Sequence, residues 1–305
     1  MKEIAFPTFF HMIISMIGIH LRLTNDIESI RKCIDELQID CFQLFFEPFH
    51  GLSMKRKLHY RAIFSRLKKE KMVRKIFVHA PDNTSLRVSK NNTTIPSWKK
   101  IRYRLQEADD LGVDGLVVHV NIDRTFPLQM MAEEMSEVLY DIDVKSDLLL
   151  ENTVMQNSIS SDMHTFDHMT QILHEKYPIK ICLDTAHLFS VGYSFSSKDE
   201  MRELIREFPS IFRHTKLVHM NDSAVACGSF IDHHAHLGKG FLGLGSLGAV
   251  VSVFSRDMPY ITETPKCDFD VQKENIVTLN QIVAGNKLDL DELGSHVKME
   301  RVFYF

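Results

Sequence analysis

Eight short apolar runs recur along the chain, and helix-like segments separate them. The runs occupy residues 17–23, 41–46, 75–79, 115–120, 147–151, 179–184, 216–221 and 260–264. Apolar residues recur three to four positions apart, as on one face of a helix, in residues 26–37, 59–71, 97–111, 127–140, 163–176, 198–208 and 245–254. Strands that alternate with helices form a parallel sheet, and eight such units favour closure. The sequence therefore predicts an α/β fold, a single (β/α)₈ TIM barrel.

The length of the chain suits one barrel with short extensions, because 305 residues, 44% of them apolar, can bury a sizeable core. We expect the barrel at residues 16–284 and a leader or extra strand at 1–15. Residues 285–305 would form a closing helix, a disordered tail or a partner-docking peptide. The apolar stretch 6–19 is too short to span a membrane. Pro7, His11 and the lack of an Ala-x-Ala-like cleavage site argue against a signal peptide.

The cysteines indicate a reducing compartment. The sequence contains five cysteines, Cys33, Cys41, Cys182, Cys227 and Cys267. Their number is odd, they are widely spaced, and no two of them form a Cys-x-x-Cys motif. Such a pattern is typical of reduced thiols in intracellular proteins. We therefore expect the protein in the cytoplasm or nucleus, and not secreted.

A histidine or a carboxylate stands at the carboxyl end of six of the eight runs, and three more follow in nearby loops. The nine candidate metal ligands are His79, His119, Glu151, Asp184, His187, His219, Asp232, His234 and Glu263. The carboxyl ends of parallel strands meet at one rim, where active sites lie in such folds. Carboxylates gathered there would repel one another and raise one another's pKa values unless divalent cations compensate them. Imidazole and carboxylate ligands suit Zn²⁺, with Mn²⁺ or Fe²⁺ as alternatives, and nine ligands suffice for three ions.

The motifs around these residues carry a family resemblance. They are Val78-His79, Val118-His119, Leu150-Glu-Asn-Thr153, Cys182-Leu-Asp-Thr-Ala-His187, Val218-His-Met-Asn-Asp222, Asp232-His-His234-Ala-His-Leu-Gly-Lys-Gly240 and Thr262-Glu-Thr264. In this order, over residues 17–282, the series resembles the endonuclease IV family of apurinic/apyrimidinic endonucleases, within the xylose isomerase-like TIM barrel superfamily.

The resemblance implies three zinc ions per chain, with Mn²⁺ as an alternative at one site. The first would be held by His79, His119 and Glu151. Glu151 would bridge to the second, which Asp184, His219 and Glu263 would complete. The third would be held by His187, Asp232 and His234.

The resemblance also implies hydrolysis of the phosphodiester 5′ to an abasic site in duplex DNA. The products would be a 3′-hydroxyl and a 5′-deoxyribose phosphate, and relatives also repair blocked 3′ ends. Three dications would neutralise the scissile phosphate, lower the pKa of a bound water and stabilise the leaving alkoxide. Glu263 would orient or deprotonate the attacking water, and the bridging Glu151 is the second expected catalytic residue.

The loops expected to contact DNA depart from the family pattern. Residues 46–51 and 80–86 lack the arginine and tyrosine that fill the gap beside a flipped nucleotide in the family. Phe49, His50 or Leu86 could serve as wedges there, or they could pack the loop.

Basic residues are concentrated in one segment of the sequence. Residues 51–105 contain sixteen Lys or Arg and two acidic residues. The segment could form solvated helix faces or a patch that binds phosphates.

The expected partner is duplex DNA with abasic sites and not a membrane. One closed barrel is compatible with a monomer.

Two other functions compete with the endonuclease. A sugar isomerase or epimerase of a related barrel would hold one divalent ion with Glu151, Asp184, His219 and Glu263, which leaves five candidate ligands without a role. A non-catalytic DNA- or metal-binding relative would not require so complete a ligand set.

Overall fold

The computed structural model describes residues 16–21, 27–45, 53–81, 86–87, 98–255, 257–265 and 268–294. The expected leader at 1–15, the wedge candidates Phe49 and His50, Cys267 and the chain after residue 294 lie outside this part, as does the side chain of Leu86. All nine candidate ligands lie within it.

Eight parallel strands form the barrel. They are Met16–Leu21, Cys41–Phe45, Lys75–His79, Gly115–Asn121, Asp147–Glu151, Lys180–Asp184, Thr215–His219 and Pro259–Thr262. Each strand pairs in parallel with the next one in this order, and the eighth pairs with the first through Tyr260 and Ile17. The sheet is therefore closed. The predicted TIM barrel is confirmed, because the strands begin and end within two residues of the predicted positions where both are described.

Ten α-helices and one short 3₁₀ helix, Ile159–Ser161, are present in the described part of the chain, and the α-helices are numbered in order. They are α1 (Ile27–Leu37), α2 (Met54–Lys69), α3 (Trp98–Leu111), α4 (Leu128–Leu139), α5 (Met163–Lys176), α6 (Thr185–Ser190), α7 (Lys198–Glu207), α8 (Pro209–His214), α9 (Gly243–Val251) and α10 (Phe269–Gly294). Seven of them correspond to the predicted helical segments. Helices α6 and α8, at six residues each, are too short to show a helical repeat. Helix α10 begins at Phe269, where no helix was predicted, and it extends past residue 284 into the segment for which a closing helix was one of the expectations.

None of the helices in the described ranges is both long enough and apolar enough to cross a membrane.

One buried apolar ring forms the floor beneath the strand ends. Every strand contributes one side chain to it: Met16, Cys41, Phe77, Val117, Leu149, Cys182, Leu217 and Ile261. Side chains of a strand alternate between its two faces, so the residue two positions further on points to the same side as the ring residue. From the second strand to the eighth, these next residues are Gln43, His79, His119, Glu151, Asp184, His219 and Glu263. The alternation therefore places a polar layer directly above an apolar floor.

The first strand reaches the same polar layer through a glycine. Gly18 pairs with Cys41, and a Cβ at Gly18 would lie 2.0 Å from the backbone oxygen of Cys41. No larger side chain fits there, and the next residue on this face is His20.

Candidate metal centre

Glu151 lies at the centre of the polar layer. It is fully buried at the end of the fifth strand, whose register places it beside His119 of the fourth. Its Oε2 lies 3.0 Å from His79 Nε2 and 3.2 Å from His119 Nε2. Its Oε1 lies 2.8 Å from Nδ1 of His219. The two oxygens of one carboxylate thus face two different groups of imidazoles, as a bridging ligand would.

A second group forms around His219, at the end of the seventh strand. Its Nδ1 lies 2.8 Å from Glu151 Oε1, 3.1 Å from Glu263 Oε2 and 3.9 Å from Asp184 Oδ2. The strand register also pairs Asp184 with His219. Candidate ligand atoms of all four residues lie within 4.8 Å of one another, a separation that one ion can span.

A third group lies nearer to solvent. Nε2 of His187 and Nε2 of His234 each lie 3.2 Å from Asp232 Oδ1, and His234 Nε2 lies 3.6 Å from Asp184 Oδ2. Asp232 is the exposed member, because half of its side-chain surface is accessible. All nine candidate ligands are therefore gathered at one rim, in three adjoining groups.

The motif around Asp184 has a local structural cause. Asp184 ends the sixth strand and caps helix α6, since its Oδ1 accepts a hydrogen bond from the backbone N–H of His187 at 2.8 Å. This cap fixes the first turn of α6 and brings the His187 imidazole back over the strand ends. Oδ2 of Asp184 remains directed into the site, where it accepts a hydrogen bond from Asn221 Nδ2 at 2.7 Å.

Two asparagines tie the strand ends together. Asn152 accepts a hydrogen bond from the backbone N–H of Asp184 and donates one to its carbonyl oxygen. Asn221 accepts one from the backbone N–H of Glu263 at 2.7 Å. Both amides are fully buried; Asn152 directly follows Glu151, and Asn221 lies two positions after His219. Their hydrogen bonds hold neighbouring ligands at fixed spacing.

Asp222 organises the loop that carries Asp232 and His234. Its buried carboxylate accepts hydrogen bonds from five backbone N–H groups, those of Ser223, Gly238, Gly240, Leu242 and Gly243. A Cβ at Gly240 would lie 2.3 Å from the backbone oxygen of Ser223, so the chain can approach the carboxylate closely only with glycine there. The Leu-Gly-Lys-Gly motif thus has a structural role, because it wraps the loop around one carboxylate.

Gln43 and His20 also belong to the polar layer, although the sequence did not indicate them. Gln43 is fully buried and contacts both His219 and Glu263, and His20 contacts Glu263. Strand alternation could have identified both residues. Gln43 lies two positions after the ring residue Cys41, and His20 lies four positions after the ring residue Met16, so each points to the same side of its strand as the ring residue.

Charge balance in the layer depends on protonated imidazoles. Burial opposes ionisation of Glu151 and Glu263, but neighbouring imidazoles, His219 above all, outweigh it and hold the pKa of both carboxyls well below the usual range. Burial also opposes a charge on His219, yet Cys182 and the two glutamates raise its pKa above the usual value. Metal ions bind neutral imidazole, so cations could take the place of these protons.

The third group meets a test of fit for metal ions. Nε2 of His187 and Nε2 of His234 are buried and have no hydrogen-bond partner with suitable geometry in the described residues. Burial lowers the pKa of His187, but Asp184, Asp232 and Glu151 outweigh it and raise the value to about 10. Unsatisfied nitrogens that converge on carboxylates are the arrangement that a divalent cation would complete.

Many charges of the basic segment are paired with acidic residues. Lys68 and Lys75 both contact Asp114 at the amino-terminal side of the fourth strand, opposite to the metal centre. Lys57 contacts Glu107 and Asp110 of α3.

Other cations of the segment lie on the side of the candidate ligands. Lys55, in the first turn of α2, and Lys99 and Lys100, in the first turn of α3, are exposed where the strands end. Among the described residues, the structure thus divides the basic segment into ion-paired charges and exposed charges on the side of the candidate ligands, and the first turns of α2 and α3 are a candidate phosphate-binding surface.

Comparisons with known proteins agree with this architecture. A family model described as xylose isomerase-like TIM barrel matches residues 24–276. "Probable endonuclease 4" of Carboxydothermus hydrogenoformans is 28% identical over 282 residues, which cover 87% of this chain and 95% of the relative. Endonuclease IV from Thermus thermophilus has a TM-score of 0.69 at 22% identity, and the match covers 90% of this chain and 99% of that one. An L-ribulose 3-epimerase has a TM-score of 0.64 at 12% identity, with 94% and 100% covered. The two solved structures indicate the fold alone, and that fold serves an endonuclease as well as an epimerase.

Proposed function

Because the chain belongs to the xylose isomerase-like TIM barrel family and within it to the endonuclease IV family, we propose that its rim hydrolyses DNA phosphodiesters 5′ to abasic sites. The reaction would leave a 3′-hydroxyl and a 5′-deoxyribose phosphate. Removal of blocking groups from 3′ ends is a second activity of the same chemistry. The protein would act as a monomer wherever the cellular DNA is, in the cytoplasm or nucleus.

One observation carries the proposal, namely that three ligand groups adjoin one another. The set of Glu151, Asp184, His219 and Glu263 would be enough for a single ion over a sugar. Beyond it, the rim also presents His79 with His119, and His187 with His234. A phosphodiester is an anion that repels an attacking hydroxide, so its hydrolysis gains from several dications, whereas a neutral sugar needs fewer.

Zinc fits the donor set, which consists of imidazoles and carboxylates. The three ions would be held by His79, His119 and Glu151, by Glu151, Asp184, His219 and Glu263, and by His187, Asp232 and His234, with Mn²⁺ as an alternative at one site. When bound, the ions would neutralise the phosphate, activate water and stabilise the leaving oxygen.

Glu263 is the residue best placed to handle the attacking water. Its side chain is 14% exposed, whereas that of Glu151 is fully buried, so only Glu263 of this pair reaches toward solvent. His20 and Gln43 contact one of its oxygens, and the other lies beside His219. Its low pKa keeps it ionised at neutral pH, so that its oxygens can accept hydrogen bonds from a water molecule and orient it. Glu151 would link the two inner ions.

The substrate would lie across the rim of the barrel. The exposed Lys55, Lys99 and Lys100 at the first turns of α2 and α3 would contact backbone phosphates of duplex DNA, so affinity would fall as salt increases.

Incision of a labelled duplex with one abasic-site analogue tests the proposal. The wild type should cut 5′ to the analogue and leave an undamaged duplex intact. Chelation should abolish cutting and zinc should restore it. Glu263→Ala should lower the rate by about a hundredfold or more, the range of a general base. Glu203→Ala, at an exposed glutamate of α7, is the matched control and should cut normally.

A metal count separates the two enzyme classes. About three zinc ions per chain would support the endonuclease, while one ion together with activity on a ketose would favour the epimerase. Incision that persists after removal of all metal would refute the proposed mechanism.

A further inference from the structure

We propose that Gln43, assisted by His20, is a positioning residue that fixes the orientation of two metal ligands, His219 and Glu263. The inference rests on the proposed function, because it assigns a role within the same centre. It concerns the first and second strands, which contribute none of the nine candidate ligands.

The Gln43 amide bridges the two ligands. Its Oε1 lies 3.0 Å from Nε2 of His219, and its Nε2 donates a hydrogen bond to Oε1 of Glu263 at 2.8 Å. Gln43 and His219 are fully buried, so water cannot replace either residue in the hydrogen bond between them. Buried amides with both ends satisfied hold their neighbours in one geometry.

Elementary donor and acceptor chemistry fixes the direction of this bridge. An ionised Glu263 can only accept, so the NH₂ end of Gln43 must face it and the oxygen must face His219. That oxygen requires a proton on Nε2 of His219, which reserves the other ring nitrogen for a metal ion. Nδ1 is indeed the nitrogen that faces Glu151, Asp184 and Glu263. Gln43 thus selects the tautomer that can bind metal.

His20 reinforces the Glu263 end of the bridge. Its Nδ1 lies 2.7 Å from the same oxygen that Gln43 contacts. Its ring packs against Phe45, with the centroids 3.7 Å apart, and this contact fixes the ring plane. Two donors on Oε1 leave Oε2 of Glu263 directed toward His219 and Asn221.

Two substitutions at Gln43 separate the two ends of the bridge. Gln43→Met keeps the side-chain length but removes both hydrogen bonds. Gln43→Glu keeps an acceptor for His219 and removes the donor to Glu263. Gln106→Ala, at an exposed glutamine of α3, is the matched control.

Zinc affinity, measured with zinc alone against a chromophoric chelator, is the first readout. We expect Gln43→Met to weaken one of the bound ions by roughly 10–100-fold, the usual effect of removing such a partner. Gln43→Glu should also weaken it, because a carboxylate would then oppose Glu263. The control should bind zinc like the wild type.

The ring N–H of His219 is the second readout, observed in spectra of protein labelled with ¹⁵N-histidine and assigned with His219→Gln. A slowly exchanging Nε2–H signal should be present in the wild type and in Gln43→Glu, and absent in Gln43→Met. If Gln43→Met does not fold, Gln43→Glu still tests the Glu263 end through zinc affinity.

The outcomes distinguish this proposal from the proposed function. Zinc affinities within threefold of the wild type and an unchanged Nε2–H signal in Gln43→Met would overturn the positioning role, even if the wild type cuts abasic DNA. Loss of both in a protein whose wild type does not cut would support the positioning role and refute the endonuclease.

Discussion

Replacing Asp222 by asparagine tests whether one buried carboxylate holds the loop that carries Asp232 and His234. The two oxygens of Asp222 accept hydrogen bonds from five backbone N–H groups, three at Oδ1 and two at Oδ2. Asparagine keeps one oxygen and presents an NH₂ donor in place of the other. If the remaining oxygen of the asparagine takes the place of Oδ1, which accepts three of the hydrogen bonds, the two backbone donors at Oδ2, Gly238 and Gly240, lose their acceptor. A buried unsatisfied donor costs roughly 1–3 kcal/mol, so the loop should lose about 2–6 kcal/mol.

Because a loop can open on its own, this loss should appear locally. Hydrogen exchange of peptides from residues 223–242 should become at least about 30-fold faster, since 1.4 kcal/mol corresponds to a factor of ten. Peptides from the barrel strands should keep their protection, and the bound zinc should decrease by one ion.

Asp123→Asn is the matched control for this experiment. Asp123 is exposed, and in the described contacts its carboxylate accepts hydrogen bonds from the N–H and hydroxyl of Thr125, which an amide oxygen can also accept. It should change exchange little. Loop exchange within threefold of the wild type in Asp222→Asn, with the full zinc content, would refute the role given to this carboxylate.

Two further predictions concern stability. Gly18→Ala should destabilise the barrel at or above the upper end of the roughly 1–3 kcal/mol range for overpacking, because the new methyl would meet the Cys41 backbone oxygen at 2.0 Å. Urea unfolding measures this, and Gly245→Ala in α9, where the nearest atom is 4.0 Å away, should be neutral or stabilising; equal midpoints for the two variants would contradict the packing argument. In metal-free protein the pKa of His187 is about 10, above its unfolded value near 6.5, so its stabilising contribution is complete below about pH 6.5 and is lost as the pH rises through 10. The urea midpoint of metal-free protein should therefore fall over this interval, whereas zinc-loaded protein, whose imidazoles are neutral ligands, should fall less; a flat profile without metal would contradict this assignment.

The barrel could be predicted from sequence because its strands are buried on both faces. In the run 147–151 three buried leucines lie between Asp147 and Glu151, so the apolar stretch and its terminal carboxylate are both visible in the sequence. The structure places the nine candidate ligands together for the same reason, since each stands at a strand end or in a loop that follows one. Helix α6 escaped prediction because its start depends on one cap at Asp184 and its six residues show no repeat.

The positioning residues could not be predicted in the same way. Gln43 stands inside an apolar run and resembles an ordinary polar interruption, and its partner His219 is 176 residues away. His20 begins no recognisable motif. Their roles follow from barrel closure, which brings the first two strands against the last two, and no local pattern encodes such contacts. The division of the basic segment into ion-paired and rim-facing charges likewise depends on how α2 and α3 pack.

The contact between His20 and Glu263 has a consequence for the lifetime of the folded chain. It joins the first strand to the end of the last across 243 positions of sequence, so it forms only when the intervening units are in place. The metal centre therefore lies beside the pairing of the first and last strands that closes the barrel. Cations that bind only to the closed barrel would lower the rate at which these two strands separate. The same ions that supply the chemistry would therefore slow unfolding and protect the chain against proteolysis and heat.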